Sequence, residues 1–449
     1  QFGDYIKDTP APQLRRALLN LFEVLDTPLN ERDPYLEPEL AAFPYVNGGL
    51  FTLQDKSIPQ FTDELRDLLL GKASDDFDWS EISPTIFGAI FESTLNPETR
   101  RSGGMHYTSI ENIHKVIDPL FLDELRAEFE QIKETKVTKT REKKLNDFRD
   151  KLSSLTFLDP ACGSGNFLTE TYISLRRLEN EVLKEIHGDQ IIMDIGDVIR
   201  VSIGQFYGIE INDFAVTVAK TALWIAESQM MKETEEIVHK NLDFLPLTSY
   251  ANIVEANALH IDWEEVVPKD KLNYIMGNPP FVGARLMSKE QKEDLISVFG
   301  AKWKNAGNLD YVSCWYKKSV DFMNDTNIRS ALVSTNSVSQ GESVAILWKK
   351  LFEEGLHIDF AHRTFRWDSE ASLKAHVHCV IIGFSLAHSN KTKTIFDSER
   401  FQIVGNINGY LIDAPNVFIE SRKKPLAEVP AVVFGSMPND SGVLSDFST

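Results

Sequence analysis

An α/β fold, built on a seven-stranded, mostly parallel sheet and preceded by a helical domain, is predicted by three features of this 449-residue chain. From about residue 155 onward, short apolar runs alternate with stretches of helical periodicity, the pattern of strands joined by crossover helices. The first of these runs, Phe157-Leu158-Asp159, passes directly into a glycine-containing turn and a helix start, as at the carboxyl edge of a parallel sheet. Residues 1 to about 100, by contrast, carry apolar positions mainly at helical spacing.

Taken in order, 13–25 and 61–70 are the clearest helices of the first hundred residues. Between them Phe43 to Phe51 is a loop-rich apolar patch that packing explains better than a ligand would. Residues 118–155 interleave Glu with Lys and Arg, which predicts a solvated helical hairpin supported by i,i+4 pairs and carrying no chemistry. The seven strands are expected at 156–159, 206–211, 253–256, 272–277, 329–334, 358–362 and 377–384. Helices are expected at 167–185 and 213–230, the second capped by Asn212. After about residue 389 the pattern becomes irregular.

Composition narrows the function. Hydrophobic residues make up 42% and charged residues 25%, the balance of an ordinary globular protein. A net charge of −20 excludes coating nucleic acid by bulk electrostatics, so any DNA contact must come from local basic patches or from another part of the polypeptide. The three cysteines, Cys162, Cys314 and Cys379, form no CxxC pair, so neither a disulfide framework nor a zinc site is expected, and a reducing cytoplasm fits. No run is long and apolar enough to span a bilayer, and no leader is evident. The chain opens at Gln1 and looks cut after Ser448-Thr449, so it reads as a fragment of a longer polypeptide.

The most informative stretch is Asn278-Pro279-Pro280-Phe281, directly after the apolar run Tyr274 to Gly277. An exocyclic amine on an aromatic ring is a poor nucleophile, and activating it needs acceptors for its N–H bonds. Asn278 offers a side-chain oxygen and Pro279 a main-chain carbonyl. The two prolines stiffen the segment and restrict the residues before them to extended conformations. Phe281 offers a flat face on which an extruded base could stack; the alternative is a Pro-Pro turn with Phe281 in the core.

Three further motifs would share its crevice. Asp159-Pro160-Ala161-Cys162-Gly163-Ser164-Gly165 is a strand-to-helix turn whose glycines allow close approach of a ligand. Leu168 stands where a dinucleotide GxGxxG would need glycine, which disfavours a nicotinamide cofactor. Glu210 ends the second strand, where its carboxylate could take two ribose hydroxyls, with Ile211 beside it to pack on an adenine; equally, Glu210 is a helix N-terminal charge. Asn257-Ala258 closes the third strand, as an adenine-edge contact or a simple turn. Phe365 and Trp367 could face the base or DNA, or pack the strand end. His376 and His378 share a strand face without an acidic or thiol partner, so a structural role is favoured and no metal is assigned. Arg285, Lys289, Lys292 and Arg422 to Lys424 could touch phosphate.

At these residues the chain resembles gamma-class adenine-N6 DNA methyltransferases, and by that resemblance the fold is a Rossmann-like class I S-adenosylmethionine-dependent methyltransferase. In that class the segment holding the methionine end of the cofactor precedes the glycine loop, and Gly103 to Ser109 matches it. The resemblance implies that Tyr107 and Thr108 contact the methionine end, that Asp159, Pro160, Ala161 and Gly163 line the cofactor loop, and that Glu210 takes the ribose and Asn257 the adenine. The stretches Phe43 to Phe51, Asn278 to Arg285, Leu332 to Gly341 and Ala375 to Phe384 are similar to the methylase part of MmeI-type (type IIL) restriction-modification enzymes.

The expected organisation follows from that likeness: a helical connector at 1–100, a methyltransferase domain at 101–389 with its clamping segment and hairpin at 101–154 and catalytic sheet at 155–389, and the start of a target-recognition region at 390–449. The implied cofactor is S-adenosyl-L-methionine. The implied partners are double-stranded DNA with its target adenine flipped out, and the nuclease and recognition domains of the same polypeptide. Transfer to cytosine N4 or to a protein glutamine, and a non-catalytic DNA-binding scaffold, remain open alternatives.

Overall fold

The computed structural model of the protein describes residues 2–45, 58–75, 82–85, 87–88, 108–187, 198–239, 251–367, 377–386, 392–398 and 400–420. In the first hundred residues, α1 (Ala11–Asp26) buries a helical stripe of Leu14, Leu18, Leu21 and Val24. Helix α2 (Asp63–Leu70) starts where Thr62 accepts a hydrogen bond from the Leu65 amide. Phe43 lies in a small cluster with Leu21, Val24, Leu25 and Leu40, a packing role; residues 46–51 of that patch lie outside the described residues.

Helix α3 (Ile110–Ile117) is capped by Ser109 and continues through a π-helical turn, Asp118–Leu122, into α4 (Asp123–Lys133). With α5 (Thr138–Ser154) this forms the expected hairpin. It is not merely a solvated element, because Leu125, Phe129, Ile132, Leu145, Phe148 and Leu152 bury one face in the main core. The strands are β1 (Phe157–Asp159), β2 (Phe206–Glu210), β3 (Asn252–Glu255), β4 (Tyr274–Gly277), β5 (Arg329–Thr335), β6 (His357–Trp367), β7 (Val377–Ser385), β8 (Lys393–Asp397) and β9 (Arg400–Val404). Between them run α6 (Asn166–His187), α7 (Asp213–Val238), α8 (Lys289–Phe299) and α9 (Ser313–Met323). Asn212 caps α7 as expected, its Oδ1 accepting from the Ala215 amide at 2.9 Å.

The sheet order is β3-β2-β1-β4-β5-β7-β6-β8-β9. Strands β3, β2, β1, β4 and β5 are mutually parallel, and β7 inserts antiparallel between β5 and β6. All seven expected strands are present, yet among the described residues the sheet has nine. The two additional strands fall in the stretch after residue 389 that reads as irregular: β8 runs parallel to β6, and β9 closes the edge antiparallel to β8. In β9 only Val404 is buried, so an edge strand of this kind leaves no alternation for a sequence pattern to show.

Successive residues of the central strands face opposite cores, as the period of two requires. Phe157, Met276, Val333 and Ile381 face the layer of α3 to α7, whereas Leu158, Ile275, Leu332 and Ile382 face the layer that includes α8 and α9. Each fully buried large apolar side chain of this kind contributes about 1.5–3 kcal/mol. The chain order reverses between β1 and β4, and the crevice at that switch point is where open α/β sheets bind ligands. Among the described residues no helix is long and apolar enough to cross a membrane.

Candidate active site

A cavity of about 320 Å³ opens along the carboxyl ends of β3, β2, β1 and β4. Its lining brings together Thr108, Asp159, Pro160, Ala161, Gly163, Glu210, Ile211, Asn257, Ala258, Asn278 and Pro280, most of the residues singled out from sequence. Four separate motifs meet because four adjacent parallel strands end at one edge.

The glycine turn wraps around the β2 carboxylate. Gly163 and Gly165 have φ of 52° and 80°, backbone that side chains with a Cβ rarely adopt. With the turn so bent, the Gly163 amide donates to Glu210 Oε2 at 2.9 Å, and the Asn212 amide donates to Oε1 at 2.9 Å. Glu210 is buried, and burial raises its pKa against the opposing pull of the Asn212, Gly163 and Ile211 amides. Asp159, one strand over, is pushed up to about 8, chiefly by burial; the Ala161 amide opposes the shift and the charge of Glu210 adds to it. A Cβ on the neighbouring Gly277 would overlap the Asp159 carboxylate, so a side chain there would require that carboxylate to move.

Beside the acids, Ile211 is 63% exposed, an apolar side chain presented at the cavity rather than packed away. Asn257 Oδ1 accepts from the Leu259 amide at 2.9 Å, so the turn role is real, and the residue also lines the cavity. A bent glycine cradle, a carboxylate with lone pairs beyond its amide donors, and an open apolar surface form a set that suits the ribose, ring and chain of an adenosine-type cofactor.

At the β4 end, Asn278 Nδ2 donates to Thr108 Oγ1 at 3.2 Å, while Asn278 Oδ1 is buried and has no hydrogen-bond partner among the described residues. The loop beyond is held from behind. Asp310 Oδ1 accepts from the amides of Val282 and Val312 at 3.1 and 3.2 Å, its Oδ2 accepts from Thr335 Oγ1 at 3.1 Å, and the Tyr311 amide donates to Val282 O at 3.0 Å.

Pro279 is buried, and neither it nor Phe281 lines the cavity. Phe281 is half-buried and packs against both cores. Phe365 packs on the first core with Lys115 Nζ 5.1 Å from its ring centre. His378 is exposed. Tyr107, His376, Arg422 to Lys424 and the Trp367 side chain lie outside the described residues, whereas Arg285, Lys289 and Lys292 are all exposed.

Sequence reasoning missed part of the wall. Asp294 on α8 bridges His260 Nε2 and the Tyr311 hydroxyl, both at 2.6 Å, and the Trp315 indole donates to Pro160 O at 3.1 Å. All four line the cavity. Tyr311-Val312-Ser313-Cys314-Trp315 does put two aromatic residues four apart at a helix start, a signal that could have marked them; His260 and Asp294 carry none.

A mixed sheet with a switch-point crevice, a carboxylate after β2 and Asn-Pro-Pro-Phe after β4 defines the class as an α/β methyltransferase. The particular family follows from direct comparison. Residues 134–397 match the MmeI DNA-methyltransferase domain and residues 1–51 the MmeI helicase spacer domain, and the chain belongs to the MmeI family. It is 42% identical over 434 residues to DNA methyltransferase A of Bacillus subtilis, covering 96% of this chain and 48% of that protein. A putative type II restriction enzyme and methyltransferase of Methanocaldococcus jannaschii is 27% identical over 62% of this chain and 26% of its own length. The solved structure of the type IIL restriction-modification enzyme MmeI in complex with DNA superposes with a TM-score of 0.90 at 44% identity, covering 98% of this chain and 59% of that one. The chain thus spans about half the length of these first relatives.

Proposed function

We propose that this chain is the catalytic part of a site-specific DNA methyltransferase that moves the methyl group of S-adenosylmethionine to the N6 amine of a flipped adenine, within a restriction-modification polypeptide. The observation that carries the reading is Asn278 Oδ1, which has no partner among the described residues, in the wall of a crevice whose other end suits an adenosine. A buried acceptor without a donor is costly to maintain and calls for an explanation. A target amine supplies the missing N–H. Kinship with MmeI, solved on DNA, supports DNA as the substrate class.

In this reading Glu210 orients the ribose, Ile211, Asn257 and Ala258 flank the adenine of the cofactor, Pro160, Ala161 and Gly163 shape the loop, and Tyr107 and Thr108 face its methionine end. Bound S-adenosylmethionine supplies an electrophilic methyl group. Asn278 Oδ1 and the Pro279 carbonyl would accept the two amine hydrogens and so leave the nitrogen lone pair free, and Phe281, half-buried between the two cores, would border the extruded base. Cys162 is no nucleophile, since burial and the nearby carboxylates push its thiol pKa up and disfavour the thiolate. Residues 1–100 serve as connector to a nuclease, 101–389 with the two added strands as the catalytic unit, and the chain beyond as the start of target recognition.

The test uses the full-length natural polypeptide with labelled S-adenosylmethionine and mixed DNA, followed by nucleoside analysis. N6-methyladenine is expected. Asn278→Ala should keep cofactor affinity by calorimetry and lose about 100- to 1,000-fold in transfer, the scale of one preorganised polar group. Glu210→Ala should weaken cofactor binding about tenfold or more, as for lost hydrogen bonds to a charged acceptor. Label in N4-methylcytosine or in protein would overturn the adenine assignment.

A further inference from the structure

A primary amide has one accepting and one donating end, of nearly the same shape, so packing alone does not choose which end faces a ligand. For Asn278 the choice decides chemistry. With Oδ1 toward the target, the amine donates and its lone pair stays free; turned over, the NH₂ would meet the amine with donors and occupy that lone pair.

The group that touches the other end of the amide is the Thr108 hydroxyl, 3.2 Å from Nδ2. Resting on the function proposed above, we infer that Thr108 is a positioning residue that fixes the polarity of Asn278, by accepting from Nδ2 and so leaving Oδ1 for the target amine. Thr108 is 3% exposed and directly precedes Ser109, the cap of α3. The helix it leads into is anchored through Ile113, Val116 and Ile117 in the first core, so the hydroxyl is held in place.

A hydroxyl also has a hydrogen to give, and one donated to Oδ1 would favour the wrong amide orientation. Thr108 lines the cavity, however, and an anionic group bound there would take that single hydrogen. Only lone pairs would then face Asn278, and Nδ2 is the one end of the amide that can answer them. The residue expected merely to hold the methionine end would in this way couple an occupied cofactor site to a correctly turned catalytic amide.

The test uses the full-length natural polypeptide carrying Thr108→Val, which keeps shape and removes the hydroxyl, and Thr108→Ser, which restores it. Each is measured alone and in an Asn278→Asp background, with thermal melts to confirm folding. Two quantities are read: single-turnover transfer, and the preference in equilibrium binding for a target adenine over purine, which lacks the amine. Thr108→Val should slow transfer about 10- to 100-fold, the range expected when an aligned polar group is lost from a reacting centre, and abolish the preference for adenine. Thr108→Ser should recover both. In Asn278→Asp both ends are acceptors and no polarity needs setting, so adding Thr108→Val should change the preference little.

Equal effects of Thr108→Val in both backgrounds, or a folded Thr108→Ser that recovers nothing, would overturn the inference and make Thr108 a packing residue. A wild type that binds cofactor yet methylates no DNA would instead overturn the underlying function, and the inference with it.

Discussion

At the scale of single residues the crevice is built at a cost to the fold, and Asp159 measures it. Its carboxylate is buried with a pKa pushed up to about 8, against roughly 3.9 for an unfolded aspartate. Between those values the folded chain holds a proton that the unfolded chain has released, so stability falls as pH rises from about 4 to about 8 and is flat above. Asp159→Asn keeps an oxygen for the Ala161 amide, now 3.0 Å from Oδ1, and removes the titration. It should therefore raise the melting temperature of the cofactor-free protein at pH 8, with a gain that shrinks to nothing near pH 4; a pH-independent gain would show that the carboxylate is not the source. Residues of this kind were legible when their neighbours in sequence are also their neighbours in space: Asn278 with its prolines, Glu210 at a strand end, the glycines after β1. Asp294 and His260 were not, because they meet each other and Tyr311 only once three separate elements are packed together.

At the scale of elements, one ionic bridge ties the helix that Thr108 leads into to the helix that follows the glycine turn. His114 on α3 pairs through Nδ1 with Asp118 at 2.8 Å and through Nε2 with the buried Glu170 of α6 at 3.2 Å. These two carboxylates raise its pKa to about 9 against the penalty of burial. A histidine whose folded pKa lies above its unfolded value of roughly 6.5 contributes stability in full below that value, and the contribution is lost as pH rises through about 9. His114→Leu should thus lower the melting temperature by a few degrees at pH 6, with most of the deficit gone at pH 10, as melts across that range would reveal. Elements were readable from sequence in proportion to how much of their length is buried. The central strands alternate cleanly between two cores and appeared where expected, whereas α5 hides Leu145, Phe148 and Leu152 among charged residues, and β9 buries too little to leave a pattern.

At the scale of the whole molecule, the net charge of −20 poses a problem for any protein that handles DNA. Like-charge repulsion is screened beyond roughly 10 Å in ordinary salt, so what matters is the charge within that distance of the phosphates. Beyond the proposed catalytic loop, Gly283 to Leu286 forms a turn closed by the Leu286 amide donating to Gly283 O at 2.8 Å, and α8 starts at Lys289 under a Ser288–Gln291 capping box. Arg285, Lys289 and Lys292 are exposed along this stretch, while Glu290, Gln291 and Asp294 of the same helix line the cavity. One short element thus holds cations outward and completes the cavity wall inward. If the cations meet phosphate, each contact releases counterions and adds about 0.9 to the slope of log affinity against log salt. Replacing all three by Gln in the full-length polypeptide should lower that slope by up to about 2.7 and weaken specific and non-specific DNA binding alike, with cofactor affinity measured by calorimetry unchanged because none of the three lines the cavity. An unchanged slope would mean that the anionic body meets DNA through other surfaces, and that the basic run beside the catalytic loop is only its solvated edge.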